Sequence, residues 1–187
     1  DRLPYITNVG NGTDSLIPAW WHIHQNFLFG GGEAPIDTDD GSNRLNVTRN
    51  VVLQGGLYKD GIANSHKRYA GNVELFGENC FNSGQWDRGS SNFTDNHCFG
   101  TPPSSFDCHC NATSRQPPCP KIARNHYYQH NQTYSVCGKT LPQLAAEGIE
   151  VNSTVQLVPT ANEIVQIIQA TLGMAAAKQT QWAQLWI

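Results

Sequence analysis

Short apolar stretches return along this chain at intervals of about two dozen residues, each introduced by an apolar residue, two variable residues and an asparagine. The phrase occurs six times, as Tyr5-Ile6-Thr7-Asn8, Ile23-His24-Gln25-Asn26, Val47-Thr48-Arg49-Asn50, Tyr69-Ala70-Gly71-Asn72, Phe93-Thr94-Asp95-Asn96 and Ile122-Ala123-Arg124-Asn125. The asparagines lie 18, 24, 22, 24 and 29 residues apart, and apolar residues resume after them, as in Phe27-Leu28-Phe29, Val51-Val52-Leu53 and Val73-Glu74-Leu75. Segments this short cannot bury their apolar faces alone, so the pattern predicts a coil stacked on copies of itself.

The predicted fold is an all-β solenoid, a right-handed parallel β-helix of about six coils with a small C-terminal helical cap. A recurrent Asn has two physical uses there. It tolerates a left-handed bend between strands, and its amide can bond to the equivalent amide one coil away. A leucine-rich repeat also carries an Asn, but its other leucine positions are not filled here. Coils are expected over residues 1–137, a helical cap over 138–173 and an apolar tail over 174–187. In the cap, Thr140-Leu141-Pro142-Gln143 and Thr160-Ala161-Asn162-Glu163 are capping boxes. Ile164, Ile167, Ile168 and Leu172 then share one helical face before Gly173. The helices are expected to cover the last coil and hide its sheet edge.

Composition narrows the class. The chain has 187 residues, 39% of them apolar, a net charge of −3 and no basic or acidic run, which argues against nucleic acid as a partner. No apolar stretch reaches the length of a membrane span. The first residue is Asp1, which reads as a processed chain or part of a longer one. Six N-x-T sequons, at Asn11, Asn46, Asn92, Asn111, Asn131 and Asn152, point to a secreted, extracellular glycoprotein. Asn46 and Asn92 each lie four residues before a ladder asparagine, so they are expected to face outward and to be the sequons most readily glycosylated. The six cysteines, Cys80, Cys98, Cys108, Cys110, Cys119 and Cys137, read as disulfides of open connectivity. A metal site around Cys108-His109-Cys110 is the weaker alternative, because paired C-x-x-C spacing is missing; no metal and no cofactor is expected.

The densest polar cluster is Asp37-Thr38-Asp39-Asp40-Gly41-Ser42. Counted from the preceding ladder asparagine, Asp39, Asp40, His66, Asp87 and Arg88 fall at offsets of 13 to 16 residues. Similar offsets predict a vertical stripe on one wall with rungs about 4.8 Å apart. Paired carboxylates at such spacing are the apparatus of glycoside hydrolysis, and stacking raises their pKa values as a catalytic acid requires. Asp37, Asp39, Asp40 and His66 are therefore the candidate catalytic residues. Tyr58, Trp86, Asp87 and Arg88 are candidate substrate contacts, the two aromatics as stacking faces for sugar rings. Turn chemistry accounts for Asp-Asp-Gly-Ser equally well.

Together Ala34 to Ser42, Val51 to Lys59, His66, Gly71-Asn72-Val73 and Cys137-Gly138-Lys139-Thr140-Leu141 with Gly148 to Thr154 resemble a family of secreted eukaryotic right-handed β-helix proteins. That family is similar to bacterial β-helix proteins with a D-D-G-S turn, some of them glycoside hydrolases. The resemblance spans about residues 20–173 and implies the fold more strongly than an activity. It marks Asp37, Asp39, Asp40 and His66. The long N-terminal β-helix portion of such proteins has no counterpart here, nor does the apolar tail with Trp182, Leu185, Trp186 and Ile187 belong to their pattern. Two functions follow as expectations. One is a carbohydrate-directed protein that binds or hydrolyses polysaccharide. The other is a structural subunit of a glycoprotein filament, with a second polypeptide on the open N-terminal coil edge or at the C-terminal tail.

Overall fold

A computed structural model describes residues 20–29, 35–38, 43–54, 59–60, 65–77, 80, 82–83, 91–100 and 121–174. Its strands are short and parallel throughout. Sheet A contains β1 (Trp21–His24), β4 (Asn43–Thr48), β7 (Ser65–Ala70), β10 (Asn92–Thr94) and β12 (Lys121–Ala123), stacked in that order. Sheet B contains β2 (Phe27–Phe29), β5 (Val51–Leu53), β8 (Val73–Leu75), β11 (His97–Phe99), β13 (His126–Gln129) and β14 (Thr154–Leu157). Sheet C is the smallest, with β3 (Asp37–Thr38), β6 (Lys59–Asp60) and β9 (Asn82–Ser83). The chain therefore visits A, B and C in turn and climbs one level per circuit, as a parallel β-solenoid does.

The expected count of about six coils is corrected by this topology. Among the described residues three turns carry all three sheets, and the levels above them are two-sided. Stacking also passes residue 137: Val151 bridges Ala123 and β14 pairs with β13, so 151–157 form the last described level, and Trp182, Leu185, Trp186 and Ile187 of the expected tail lie outside the described residues.

Of the six repeat asparagines Asn8 lies outside the described residues, and the other five form one continuous ladder. Nδ2 of Asn26 donates to Oδ1 of Asn50 (3.0 Å), Asn50 to Asn72 (3.1 Å), Asn72 to Asn96 (3.0 Å) and Asn96 to Asn125 (3.2 Å). Each Oδ1 also accepts the backbone N–H of the Asn one level below, at 2.9 to 3.1 Å. Asn50, Asn72, Asn96 and Asn125 are fully buried, so the bonds meet the requirement that buried polar groups be satisfied. The left-handed bend belongs to the residue before each Asn and not to the Asn itself. Gln25, Arg49, Gly71, Asp95 and Arg124 have φ between 54° and 65°. The four that are not glycine adopt a conformation costing roughly 1–2 kcal/mol each, which the ladder and sheet bonds beside it offset.

The inward side of sheet A carries Leu45, Val47, Tyr69, Phe93 and Ile122, and that of sheet B carries Val52, Cys98 and Tyr127. Cys98 is disulfide-bonded to Cys80 across this core. The two helices divide the work differently from the expectation that both close the last coil. Helix α1 (Leu141–Ala146) does so, burying Leu141 and Leu144 beside Tyr134, Val136 and Ile149. Helix α2 (Ala161–Leu172) folds back along the outside of sheet B instead. Its Ile164, Ile167, Ile168 and Leu172 cover Val51, Val73, Leu75, Phe99 and Tyr128. The reason is that sheet B is apolar on both sides, and an uncovered outer side would leave these residues in water. Gln25 Nε2 donates to Leu172 O and Arg49 Nε to Thr171 O, both at 3.0 Å, meeting the carbonyls at the helix end. Gly173 ends the helix in the left-handed conformation, φ 69°, with Gln25 Nε2 only 2.8 Å from where a Cβ would sit.

Candidate functional site

With sheet B covered by α2, sheet A offers an outer face of stacked, solvent-facing side chains. Strand alternation sets which residues reach it: Leu45, Val47, Lys67 and Tyr69 point inward, so Asn46 and Arg68 point outward. The register His22↔Asn46↔Arg68↔Asn92↔Lys121 makes one column that rises by about 4.8 Å per rung. His22, Arg68 and Lys121 are exposed, while Asn46 and Asn92 are half-buried. Asn46 Nδ2 lies 3.1 Å from His22 Nδ1, and Asn46 Oδ1 is buried without a partner. At the start of the strands Arg44 and His66 carry matching left-handed kinks, φ 58° and 57°, between the pairs Asn43↔Ser65 and Leu45↔Lys67. Trp20, 44% exposed, comes one residue before β1 and so falls in line with them.

Of the residues singled out for chemistry, Asp37 lies in β3 with its backbone paired to Lys59, and His66 is exposed on β7. Asp39, Asp40, Tyr58, Trp86, Asp87 and Arg88 lie outside the described residues. The register explains how positions should be matched between coils. His66 stands opposite Arg44, and each lies six residues before its following ladder asparagine. Insertions between sheets B and C shift any count made from the preceding one: Asp37 and its partner Lys59 lie 11 and 9 residues after theirs.

The sequons divide by exposure. Asn131 is exposed, and its Oδ1 accepts from Thr133 Oγ1 (2.7 Å) and Thr133 N (3.2 Å), which leaves Nδ2 toward solvent. Asn152 is also exposed, at a left-handed bend with φ 61°. Asn11 and Asn111 lie outside the described residues, as do Cys108, Cys110 and Cys119. Cys137 is disulfide-bonded like Cys80 and Cys98.

Several titratable groups escaped the sequence reading, and their surroundings are structural. Glu74 faces the interior between Val52 and Cys98. Burial pushes its pKa up to about 8, against the lowering effect of the Gly77 N–H bonded to Oε1; Oε2 is buried without a partner. Glu150 is buried at the top of the ladder, where Oε1 accepts from Tyr127 OH (2.6 Å) and Tyr134 OH (3.1 Å). Its Oε2 accepts from Ser153 Oγ (2.6 Å) and Asn125 Nδ2 (3.4 Å). Burial raises its pKa and these donors work in the opposite direction. Neither carboxyl reaches solvent, so neither can serve a polysaccharide.

Outside sheet B the rings of His97 and His126 stack at 4.7 Å, with Nδ1 atoms 3.0 Å from Tyr128 OH and Thr154 Oγ1. Burial, then the neighbouring His126, pulls His97 down to about 4, so the ring is neutral at physiological pH. Asp95 and Arg124 form a bidentate pair, 2.7 Å in both contacts, at successive bends. A lone polar residue in an apolar run was the only trace of Glu74 and His97 in the sequence. Among the described residues no group of three or more His, Cys, Asp or Glu is placed to hold a metal ion, and no helix is long and apolar enough to cross a membrane.

Comparison with protein-family profiles, curated proteins and solved structures found no match. The solenoid class thus rests on the parallel sheets and the amide ladder of this chain. The narrower resemblance to a secreted β-helix family gains nothing from the comparisons.

Proposed function

We propose that this chain is an extracellular, N-glycosylated β-solenoid that binds polysaccharide on the outer face of sheet A. The observation that carries the reading is the ordered column of His22, Asn46, Arg68, Asn92 and Lys121 on a rigid sheet, beside His66 and Trp20. Repeated donors and acceptors at a fixed rise suit an extended polymer better than a compact ligand, and an exposed indole offers an apolar face to a sugar ring. The Cys80–Cys98 disulfide and the exposed sequons Asn131 and Asn152 suit an oxidising, secretory setting, and the reading requires Asn46 and Asn92, half-buried within the column, to carry no glycan. Asp37, Asp39, Asp40 and His66 remain the candidates for hydrolysis.

Ladder polarity weighs against a filament built by coil continuation. Every amide donates toward the C-terminal end, where Glu150 and Ser153 already accept from Asn125. Among the described residues the ladder leaves no amide donor there for a further copy.

The test is affinity electrophoresis and reducing-end assay of the secreted protein against algal, plant and fungal polysaccharides. Retarded migration in at least one gel, weakened in a Trp20→Ala, His22→Ala variant, is the result expected. Unchanged migration in every polysaccharide would overturn the reading. Loss of sugar release in Asp39→Asn and Asp40→Asn variants would assign hydrolysis to those carboxylates.

A further inference from the structure

We infer that the polysaccharide taken by sheet A is acidic, bearing carboxylate or sulfate groups; this rests on the binding reading above and adds the ligand's charge. The whole chain has a net charge of −3, yet its described outward positions on sheet A hold no carboxylate. They present Arg68 and Lys121, both exposed, in one column, with His22 and His24 on β1. Arg44 and the exposed His66 stand at the strand starts beside them. A chain that is acidic as a whole and cationic on one face concentrates a positive potential there, and such a face attracts and orients a polyanion.

Geometry favours a polymer over a single anion. Arg68 and Lys121 are two rungs apart, about 9.6 Å, with Asn92 between them. One side chain can pair with an acidic group while the Asn92 amide between the two cations meets a hydroxyl, so cation, amide and cation follow one another along Arg68, Asn92 and Lys121. At the bend that ends β10 the Asp95 carboxylate is already paired with Arg124. A guanidinium also supports bidentate contact with a carboxylate or sulfate. The described outward positions carry too few fixed cations for a tight nucleic-acid site, which needs many phosphate contacts at physiological salt.

The experiment measures retardation and calorimetric affinity of the secreted protein with polygalacturonate, dextran sulfate, neutral dextran and duplex DNA. Measurements at about 0.05 and 0.5 M salt bracket the screening range. The two acidic polysaccharides should bind at low salt and weaken at high salt, with neutral dextran and DNA much weaker. An Arg68→Glu, Lys121→Glu variant should lose at least about tenfold in affinity, and Arg68→Gln, Lys121→Gln should lose less. A Lys139→Glu control, outside sheet A, should lose little. Neutral dextran bound equally well, and undiminished by the charge reversal, would overturn the inference while leaving polysaccharide binding intact. Equal binding of DNA would overturn it in favour of a general polyanion surface, and no binding to any polymer would remove both readings.

Discussion

Asn125 Nδ2 donates to Glu150 Oε2 at 3.4 Å, so a carboxyl closes a ladder that is otherwise made of amides. Ser153 occupies the ladder position of this level, because its Oγ accepts the Asn125 N–H at 3.0 Å as the lower asparagines do. A serine side chain is too short to reach the Asn125 amide as well. Glu150 fills that gap and also collects the hydroxyls of Tyr127, Tyr134 and Ser153.

Glu150→Ala should therefore cost about 3 kcal/mol or more, since three buried donors and the half-buried Ser153 hydroxyl lose their acceptor together. Glu150→Gln, an isostere of the neutral acid whose amide can still accept from the tyrosines, should cost clearly less. Urea unfolding followed by tryptophan fluorescence and circular dichroism measures both. Equal losses for the two variants would contradict the role assigned to this side chain.

The ladder predicts a gradient of cost along the stack. Asn72→Ala removes acceptance from Asn50 N and Nδ2 and donation to Val47 O and Asn96 Oδ1 in a fully buried setting. A loss of about 2–4 kcal/mol is expected. Asn26, at the exposed acceptor end, should cost under about 1 kcal/mol when changed to Ala, because water replaces its partners. Similar losses at the two positions in chemical denaturation would refute a cooperative buried ladder.

Glu74 gives a pH dependence with a definite sign. Its folded pKa of about 8 exceeds the ordinary 4.5, so between these values the folded chain holds a proton that the unfolded chain has released. Stability contributed by this group is complete below about pH 4.5 and falls as pH rises to about 8, by up to about 1.4 kcal/mol per pH unit. The difference in unfolding free energy between wild type and Glu74→Gln should grow over that window in favour of the variant. A difference independent of pH would contradict burial of an ionisable carboxyl at this position.

Glycan occupancy should follow exposure. Asn131, with Oδ1 held by Thr133, should be more fully modified than Asn46, whose amide contacts His22. Glycopeptide mass spectrometry of the secreted chain reads this directly. Higher occupancy at Asn46 would mean that the outer column opens before or during folding.

How far the sequence was legible depends on whether a position repeats. The ladder asparagines recur in one phrase, and a side chain that must meet its own image on each level leaves that trace. Counting back from the following Asn places Asn46, Arg68, Asn92 and Lys121 in one column, whereas counting forward does not, because loops between sheets B and C differ in length. The destination of α2 was written in Val51, Leu53, Val73 and Leu75, which make the outer side of β5 and β8 apolar. Glu74 and Glu150 left no repeated pattern. Each occupies a single level, where one buried acid replaces what its neighbours do with apolar or amide groups.

The claim that sheet A is the binding face is tested most directly by hydroxyl-radical footprinting of the secreted protein with and without polygalacturonate. The account predicts protection of Trp20, His22 and His66, with Phe27, Phe29 and Phe76 oxidised equally in both samples; all of these side chains are exposed in the free chain. Protection confined to the phenylalanines, or none at saturating polysaccharide, would contradict it.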